Sequence, residues 1–341
     1  MTTQALSGAP PQPETRATKN GAARRLLRSA YFPIWPATLV LFAASPLIAT
    51  GSAGLSALRG MLPFAAVLAI VAAGQTLVIQ QRGLDLTVPG VMSLSAILAT
   101  KLPAGHDGRL LAGILPALAV GALAGLASGV AVARFAITPL VATLGVNALL
   151  LGTILRITGG SSTASAAPGL AHFAFGGPLG LSNLAVVAVL VVAVTAVAIR
   201  ATAVGRRFIA IGTSSRAAIA AGLPVRRYVI ATYVAAGLLY SLGGILVAGY
   251  LRTPGLSVGD TYLLPSIAAV VLGGTSLAGG GGSVVATAAG ALFLTQLQQV
   301  VFGAGAPASV QLLIQGGAIG VGMAARTVPW RRRRPAVTAG P

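Results

Sequence analysis

Apolar residues in this chain come in long uninterrupted runs, without the alternation that a half-buried strand requires. Runs at residues 33–49, 61–79, 110–132, 139–154, 184–199, 228–250, 284–301 and 310–325 approach the ~20 residues that carry an α-helix across a bilayer. Two further runs, 91–99 and 263–272, are too short to cross unaided. Helix-breaking residues stand beside them: Gly83, Pro89 and Gly90 before the first, Gly273 and Gly274 after the second. Interrupted backbone is tolerated at membrane depth only where protein or a water-filled cavity satisfies its polar groups. The pattern predicts an all-α fold, a polytopic transmembrane helical bundle of about ten membrane segments with broken or re-entrant pieces.

Composition supports the same class. The chain is 55% hydrophobic and 8% charged, with mean hydropathy +0.89, where a soluble domain carries about 25% charged residues. A β-barrel is disfavoured because its strands would alternate. The net charge of +19 raises nucleic acid as a partner, but topology accounts for it better. Helical membrane proteins gather Lys and Arg in cytoplasmic loops. With the N-terminus inside, only Arg59, Lys101, Arg109, Arg156 and Arg252 fall outside, and every other basic residue falls inside. Both termini and the loop at 200–227 are therefore expected to be cytoplasmic. Residues 1–30 read as a disordered basic tail, 31–326 as the transmembrane domain and 327–341 as a second basic tail. A cleaved signal peptide is not expected, since the charged region before the first apolar run is too long.

The chain lacks cysteine, so disulfides and thiolate chemistry are excluded. Two histidines and four acids, Glu14, Asp85, Asp107 and Asp260, leave little for metal binding or acid–base catalysis. No metal site, cofactor or catalytic residue is expected. His106, His172 and Asp107 read as loop residues without a special role.

Four stretches carry the functional signal. Gly121, Gly125 and Gly129 form two overlapping G-x-x-x-G patterns that let another helix approach closely. Asp85 lies between two leucines beside a helix break. It reads as part of a pore or gate, or as an N-capping residue for the next helix, and the two roles are compatible. The glycine-rich run at 267–283 has no lysine and so fails as a phosphate loop; it reads as a tightly packed turn. Gly83-Leu-Asp-Leu and Gly274-Thr-Ser-Leu hold similar places in the two halves, as an internal duplication would produce. The loop at 200–227 carries six arginines and no acid, and residues 215–221 form about two helical turns ended by Gly222 and Pro224. Such a helix is either incidental to a basic loop or a docking element for a cytoplasmic partner.

Three segments, in order, resemble a known family. Gly74-Gln-Thr-Leu-Val-Ile with Gly83-Leu-Asp-Leu-Thr-Val, Gly205-Arg-Arg-Phe-Ile-Ala-Ile-Gly212 through Gly222-Leu-Pro-Val, and Ala268-Ala-Val-Val-Leu-Gly-Gly-Thr-Ser-Leu-Ala-Gly-Gly280 are similar to motifs of permease subunits of the ribose/xylose/arabinose/galactoside group of bacterial ABC importers. The resemblance covers roughly residues 61–325. Ser214 and Ser215 stand where the family often has Asn and an acid, Leu84 where Ile is usual, and Pro89 is an added helix breaker.

The resemblance implies a multi-pass protein of the bacterial inner membrane. It implies two permease subunits, identical or sister chains, surrounded by membrane lipid, with two cytoplasmic ABC ATPase subunits and an extracytoplasmic sugar-binding protein. ATP and Mg²⁺ would be bound by the ATPase, with none on this chain. The ATPase-coupling loop would comprise Gly205, Arg206, Gly212, Ser214, Ser215, Arg216, Ala217, Gly222 and Leu223. Pathway or gate candidates are Gln75, Thr76, Gly83, Asp85, Asn147, Gly273, Gly274 and Thr275. Gly121, Gly125, Gly316 and Gly320 would let packed helices slide. The carried solute would be a pentose, hexose or related small polar molecule. The rival class is an ion-coupled secondary transporter, which predicts coupled acids or histidines at membrane depth beyond Asp85.

Overall fold

The structure, a computed structural model, describes residues 29–161, 164–177 and 180–307 and single positions between 309 and 320. Residues 1–28 of the expected N-terminal tail, the C-terminal tail and most of the 310–325 run lie outside the described residues. Among those described, regular structure is entirely helical. In chain order the helices are α1 (Ile34–Ile48), α2 (Leu55–Gln80), α3 (Val88–Lys101), α4 (Leu110–Arg134), α5 (Pro139–Thr158), α6 (Pro168–Phe175), α7 (Asn183–Ala201), α8 (Ala203–Thr213), α9 (Ser215–Ala220), α10 (Val225–Leu251), α11 (Asp260–Leu272) and α12 (Val284–Gly303). Six of them, α2, α4, α5, α7, α10 and α12, are long and apolar enough to cross a membrane. The shorter α1, α3 and α11 are apolar too. At 1.5 Å per residue α3 and α11 are each about 20 Å long, short of the ~30 Å hydrocarbon layer.

Local chemistry sets the ends. Ser182, Thr202 and Ser283 cap α7, α8 and α12 by accepting from Leu184, Gly205 and Ala286 backbone N–H groups. Pro89 lies in the first turn of α3, which begins at Val88. It starts this helix instead of breaking it, because an N–H at that position has no intrahelical partner to lose. Two helices appear where the sequence reading expected loop. α6 lies in the 158–180 connection and buries Leu170, Ala171 and Ala174. α8 precedes the expected docking helix; it buries Phe208 and Ile211 and exposes Arg206 and Arg207.

The long helix α2 is the axis of the bundle. Its residues from Ala65 to Gln80 are all buried, against α7, α10, α11 and α12. The helices α4 and α10 cross most closely. Gly121 and Gly125 face the backbone of Gly237 and Tyr233, so closely that a Cβ at either position would overlap those carbonyls. This is the close approach expected of the G-x-x-x-G pattern. At Gly316 and Gly320, by contrast, a Cβ would meet no atom of the described residues within 4 Å. The helices α5 and α7 turn large apolar side chains outward, with Leu149 73% and Val189 68% exposed.

The loops sort into two ends. At one end Gly169 N–H donates to Asp107 Oδ1 at 2.6 Å, Ala166 N–H to Arg252 O at 2.7 Å and Lys101 Nζ to Ile157 O at 2.5 Å. At the other end, Gln80, Gly212 and Gly280 converge. The starts of the two short helices meet. Gly259, just before α11, donates its N–H to Ser93 Oγ of α3 at 3.0 Å and lies against the Pro89 carbonyl. Irregular backbone at 83–87 leads into α3 and the 252–259 connection leads into α11. The two half-length helices thus abut head to head.

Candidate functional site

The short helix expected at 215–221 forms as α9, Ser215–Ala220. Ser214 caps its start by accepting from Ala217 N–H at 3.2 Å, and Ser215 Oγ donates to Ile211 O at 3.3 Å. Its end closes with Leu223 N–H on Ala218 O and Gly222 N–H on Ile219 O, with Gly222 at φ +74°. That is the Schellman geometry, which places glycine in the left-handed position. Only Ala218 is buried, while Arg216, Ala217, Ile219 and Ala220 are exposed. Ile219, 64% exposed, lies beside a 650 Å³ cleft that Leu223, Arg226 and Arg227 also line. An apolar side chain on a short basic helix with one face uncovered suits a protein partner.

This helix is bolted to the bundle immediately upstream. Gly212 packs against the Gln80 carbonyl so closely that a Cβ would overlap it, and Gly205 packs in the same way against the carbonyls of Ala198 and Ile199. Arg82 donates from Nε to Gly212 O at 2.9 Å and from its terminal guanidine nitrogen to Thr213 O. Gln81 Nε2 donates to Phe208 O at 2.8 Å. Gly280 N–H donates to Gln80 O at 2.9 Å. The end of α2, the end of α8 and the 279–282 turn are therefore one joint. It connects α9 to both breaks.

Arg82 is held at φ 64°. It occupies the left-handed closing position of α2, where Gly83 N–H bonds Val78 O and Arg82 N–H bonds Ile79 O. The same two bonds end α11: Thr275 N–H to Val270 O and Gly274 N–H to Val271 O, with Gly274 at φ +93°. The two breaks share one closing geometry, one residue out of step with the Gly83/Gly274 correspondence read from sequence.

Beyond Arg82 the chain enters a buried polar cluster. Asp85 is fully buried. Its Oδ1 accepts from Thr87 N–H at 2.9 Å and Thr87 Oγ1 at 2.7 Å, which sets the carboxylate at the start of α3. Gln75 Nε2 donates to Asp85 O at 3.3 Å, and Tyr240 Oη donates to Gln75 Oε1 at 2.8 Å. Asp85 Oδ2 and the Tyr233 hydroxyl have no hydrogen-bond partner among the described residues. Tyr233 lies against Gly83 and within electrostatic reach of Asp85.

The remaining pathway candidates fall in the same interior. Asn147 Oδ1 accepts from Gly90 N–H at 2.8 Å and so caps α3 from α5. Thr76 Oγ1 bonds Thr287 Oγ1 at 3.0 Å, Thr275 Oγ1 accepts from Ser283 N–H at 3.4 Å, and Gly273 packs against the backbone of Thr287. A cavity of about 640 Å³ lies elsewhere, among α2, α10, α11 and α12. Gln298, Gln299, Thr261 and Thr295 supply its polar wall, and Phe64, Tyr262 and Phe302 its aromatic one. The sequence reading singled out none of these. The available signal was Gln296, Gln298 and Gln299 within one apolar helix, since glutamine in a span asks for a partner or a cavity. Arg82 was noted only as an inside charge, and Tyr233 and Tyr240 not at all.

Comparison with known proteins agrees with this geometry. Residues 57–321 match the family described as branched-chain amino acid transport system / permease component. The ribose import permease protein RbsC of Escherichia coli (strain K12) is 35% identical over 262 residues, 76% of this chain and 81% of that one. The galactofuranose transporter permease protein YtfT of the same strain is 35% identical over 253 residues, 74% of each chain. The autoinducer 2 import system permease protein LsrD of Photorhabdus laumondii is 31% identical over 266 residues, 76% of this chain and 79% of that one. No solved structure matches. With helices that cross the membrane, a capped short basic helix and two broken segments joined to it, the chain belongs to this family of bacterial inner-membrane permeases, in its sugar-importing group.

Proposed function

We propose that the chain is one of two permeases in an ATP-driven importer and moves a pentose, hexose or related hydroxylated solute. A binding protein outside would deliver the solute, and a cytoplasmic ATPase pair would hold α9. One observation carries this reading: the joint at Gln80, Arg82, Gly212, Thr213 and Gly280 leaves no slack between α9 and the two breaks. Force applied to α9 would reach α2 through the side-chain bonds of Gln81 and Arg82, and the turn before α12 through the backbone bond from Gly280 to Gln80. ATP-driven closure of the ATPase would shift both breaks together and part the abutting starts of α3 and α11. The cavity among α2, α10, α11 and α12 suits the solute, since its glutamines and threonines offer hydrogen bonds and its aromatic rings an apolar face. Ten crossings with both termini inside would place the joint and the arginine-rich loop on the cytoplasmic side.

The test is uptake into proteoliposomes holding the permease pair and its ATPase, with binding protein outside and a panel of pentoses, hexoses and furanosides. One solute should accumulate only with ATP. Ile219→Asp, on an exposed position, should leave the permease folded and reduce uptake at least tenfold. Uptake driven by an ion gradient without the ATPase would overturn the reading.

A further inference from the structure

A slot of about 370 Å³ opens between α2, α7 and α12. Its walls are alkyl, with Ala65, Ala69, Ala188, Ala193 and Ala288 setting the recess between larger neighbours such as Leu292. A second pocket, about 240 Å³, adjoins it, and Val285 lines both. The second pocket has a different chemistry: Arg200, Ser29, Ser283, Tyr31 and Trp35 form its wall. Arg200 is exposed and donates to Ser283 Oγ at 3.1 Å, and among the described residues no carboxylate pairs with it. Trp35 is 46% exposed, as an interfacial tryptophan is. Arg24, Arg25 and Arg28 stand just before Ser29 in the chain.

We infer that slot and pocket together hold one anionic phospholipid, with its phosphate on Arg200 and the serine hydroxyls and an acyl chain in the slot. The polarity changes along the groove as it does along a lipid, from a cationic, hydroxyl-bearing cup to a dry alkyl trough. Charge selects the headgroup, since a basic residue at the membrane surface attracts anionic lipid. A second copy of the chain is a poorer occupant, because it has only four acids to offer Arg200. The position of the cup at the cytoplasmic end of α7 assigns the lipid to the inner leaflet, and that assignment alone rests on the orientation proposed above.

Native mass spectrometry of the assembled transporter, titrated with phosphatidylglycerol or phosphatidylcholine of matched chains, tests this. Wild type should retain one phosphatidylglycerol per permease with about a five-fold preference over phosphatidylcholine. Arg200→Gln should bring the preference to about one, and Ala193→Trp, at an exposed slot position, should reduce retention of both lipids. Equal retention by wild type, or an undiminished preference in Arg200→Gln, would overturn the proposal. So would efficient disulfide formation between two copies carrying Ala193→Cys, clean in a cysteine-free chain, because the slot would then be the permease–permease contact. None of these readouts depends on uptake, so failure here and failure of the importer reading are separable.

Discussion

Arg82 combines an unfavourable backbone with favourable side-chain bonds. A non-glycine residue in the left-handed region costs roughly 1–2 kcal/mol. Here the guanidinium offsets that cost by holding two carbonyls of the next segment, Gly212 O and Thr213 O. Substitution separates the two effects. Arg82→Ala keeps the backbone cost and loses the bonds; Arg82→Gly loses the bonds and relieves the backbone. Thermal unfolding of the purified permease should therefore find Arg82→Gly more stable than Arg82→Ala by about 1 kcal/mol. Both should uncouple ATP hydrolysis from uptake. Equal stability of the two would show that the φ of 64° carries no strain. Nothing in the sequence singles this arginine out from the other basic residues of the inside loops. Its role comes from carbonyls some 130 positions away. The neighbouring Asp85 was easier to read, because an acid before a helix start has few places to go. Its contacts with Thr87 are local, whereas the approach of Tyr233 is not.

Among the helices, the α4–α10 crossing depends on absent side chains. Gly125→Leu would press a branched side chain into the carbonyl of Tyr233. Overpacking of this kind costs about 1–3 kcal/mol, and here the obstacle is backbone that cannot rotate away. The expected result is a lower unfolding temperature in detergent and reduced expression. Gly316→Leu, where no atom of the described residues lies within 4 Å of the added Cβ, should change little in the isolated permease. Both glycines belong to the same kind of sequence pattern, and only the partner helix tells them apart. The apolar runs did give most helices to within a few residues, as 110–132 became Leu110–Arg134 and 215–221 became Ser215–Ala220. Pro89 misled for a definable reason: the same ring ends one helix and begins another, and the neighbouring sequence does not say which. α6 was missed because eight residues rich in Gly, Ala and Phe are ambiguous until α10 covers them.

For the molecule as a whole, the distribution of charge dominates. The loop at 200–227 presents six arginines with no acid, so its attraction for the proposed ATPase would be mainly electrostatic and screened over about 10 Å at 0.1 M salt. Association of the permease with its ATPase should weaken several-fold between 50 and 500 mM salt, chiefly through a slower on-rate. Surface-immobilised permease with the ATPase in solution would measure this. A rate independent of salt would assign recognition to Ile219 and its apolar cleft alone. The all-helical membrane class and the long apolar helices were legible because lipid imposes them on composition. The joint was not, since it brings together residues near 80, 212 and 280 whose only common property in the sequence is glycine.

The bonds at that joint end on backbone carbonyls, those of Gln80, Phe208, Gly212 and Thr213, and their donors are Gly280 N–H and the side chains of Gln81 and Arg82. Replacing Arg82 or Gln81 would cut that contact, but the side chains of α9 take no part in it. The exposed face of α9 and the serines that cap it can therefore drift to match a different ATPase, while the linkage beneath is inherited intact. One transmission can serve many motors.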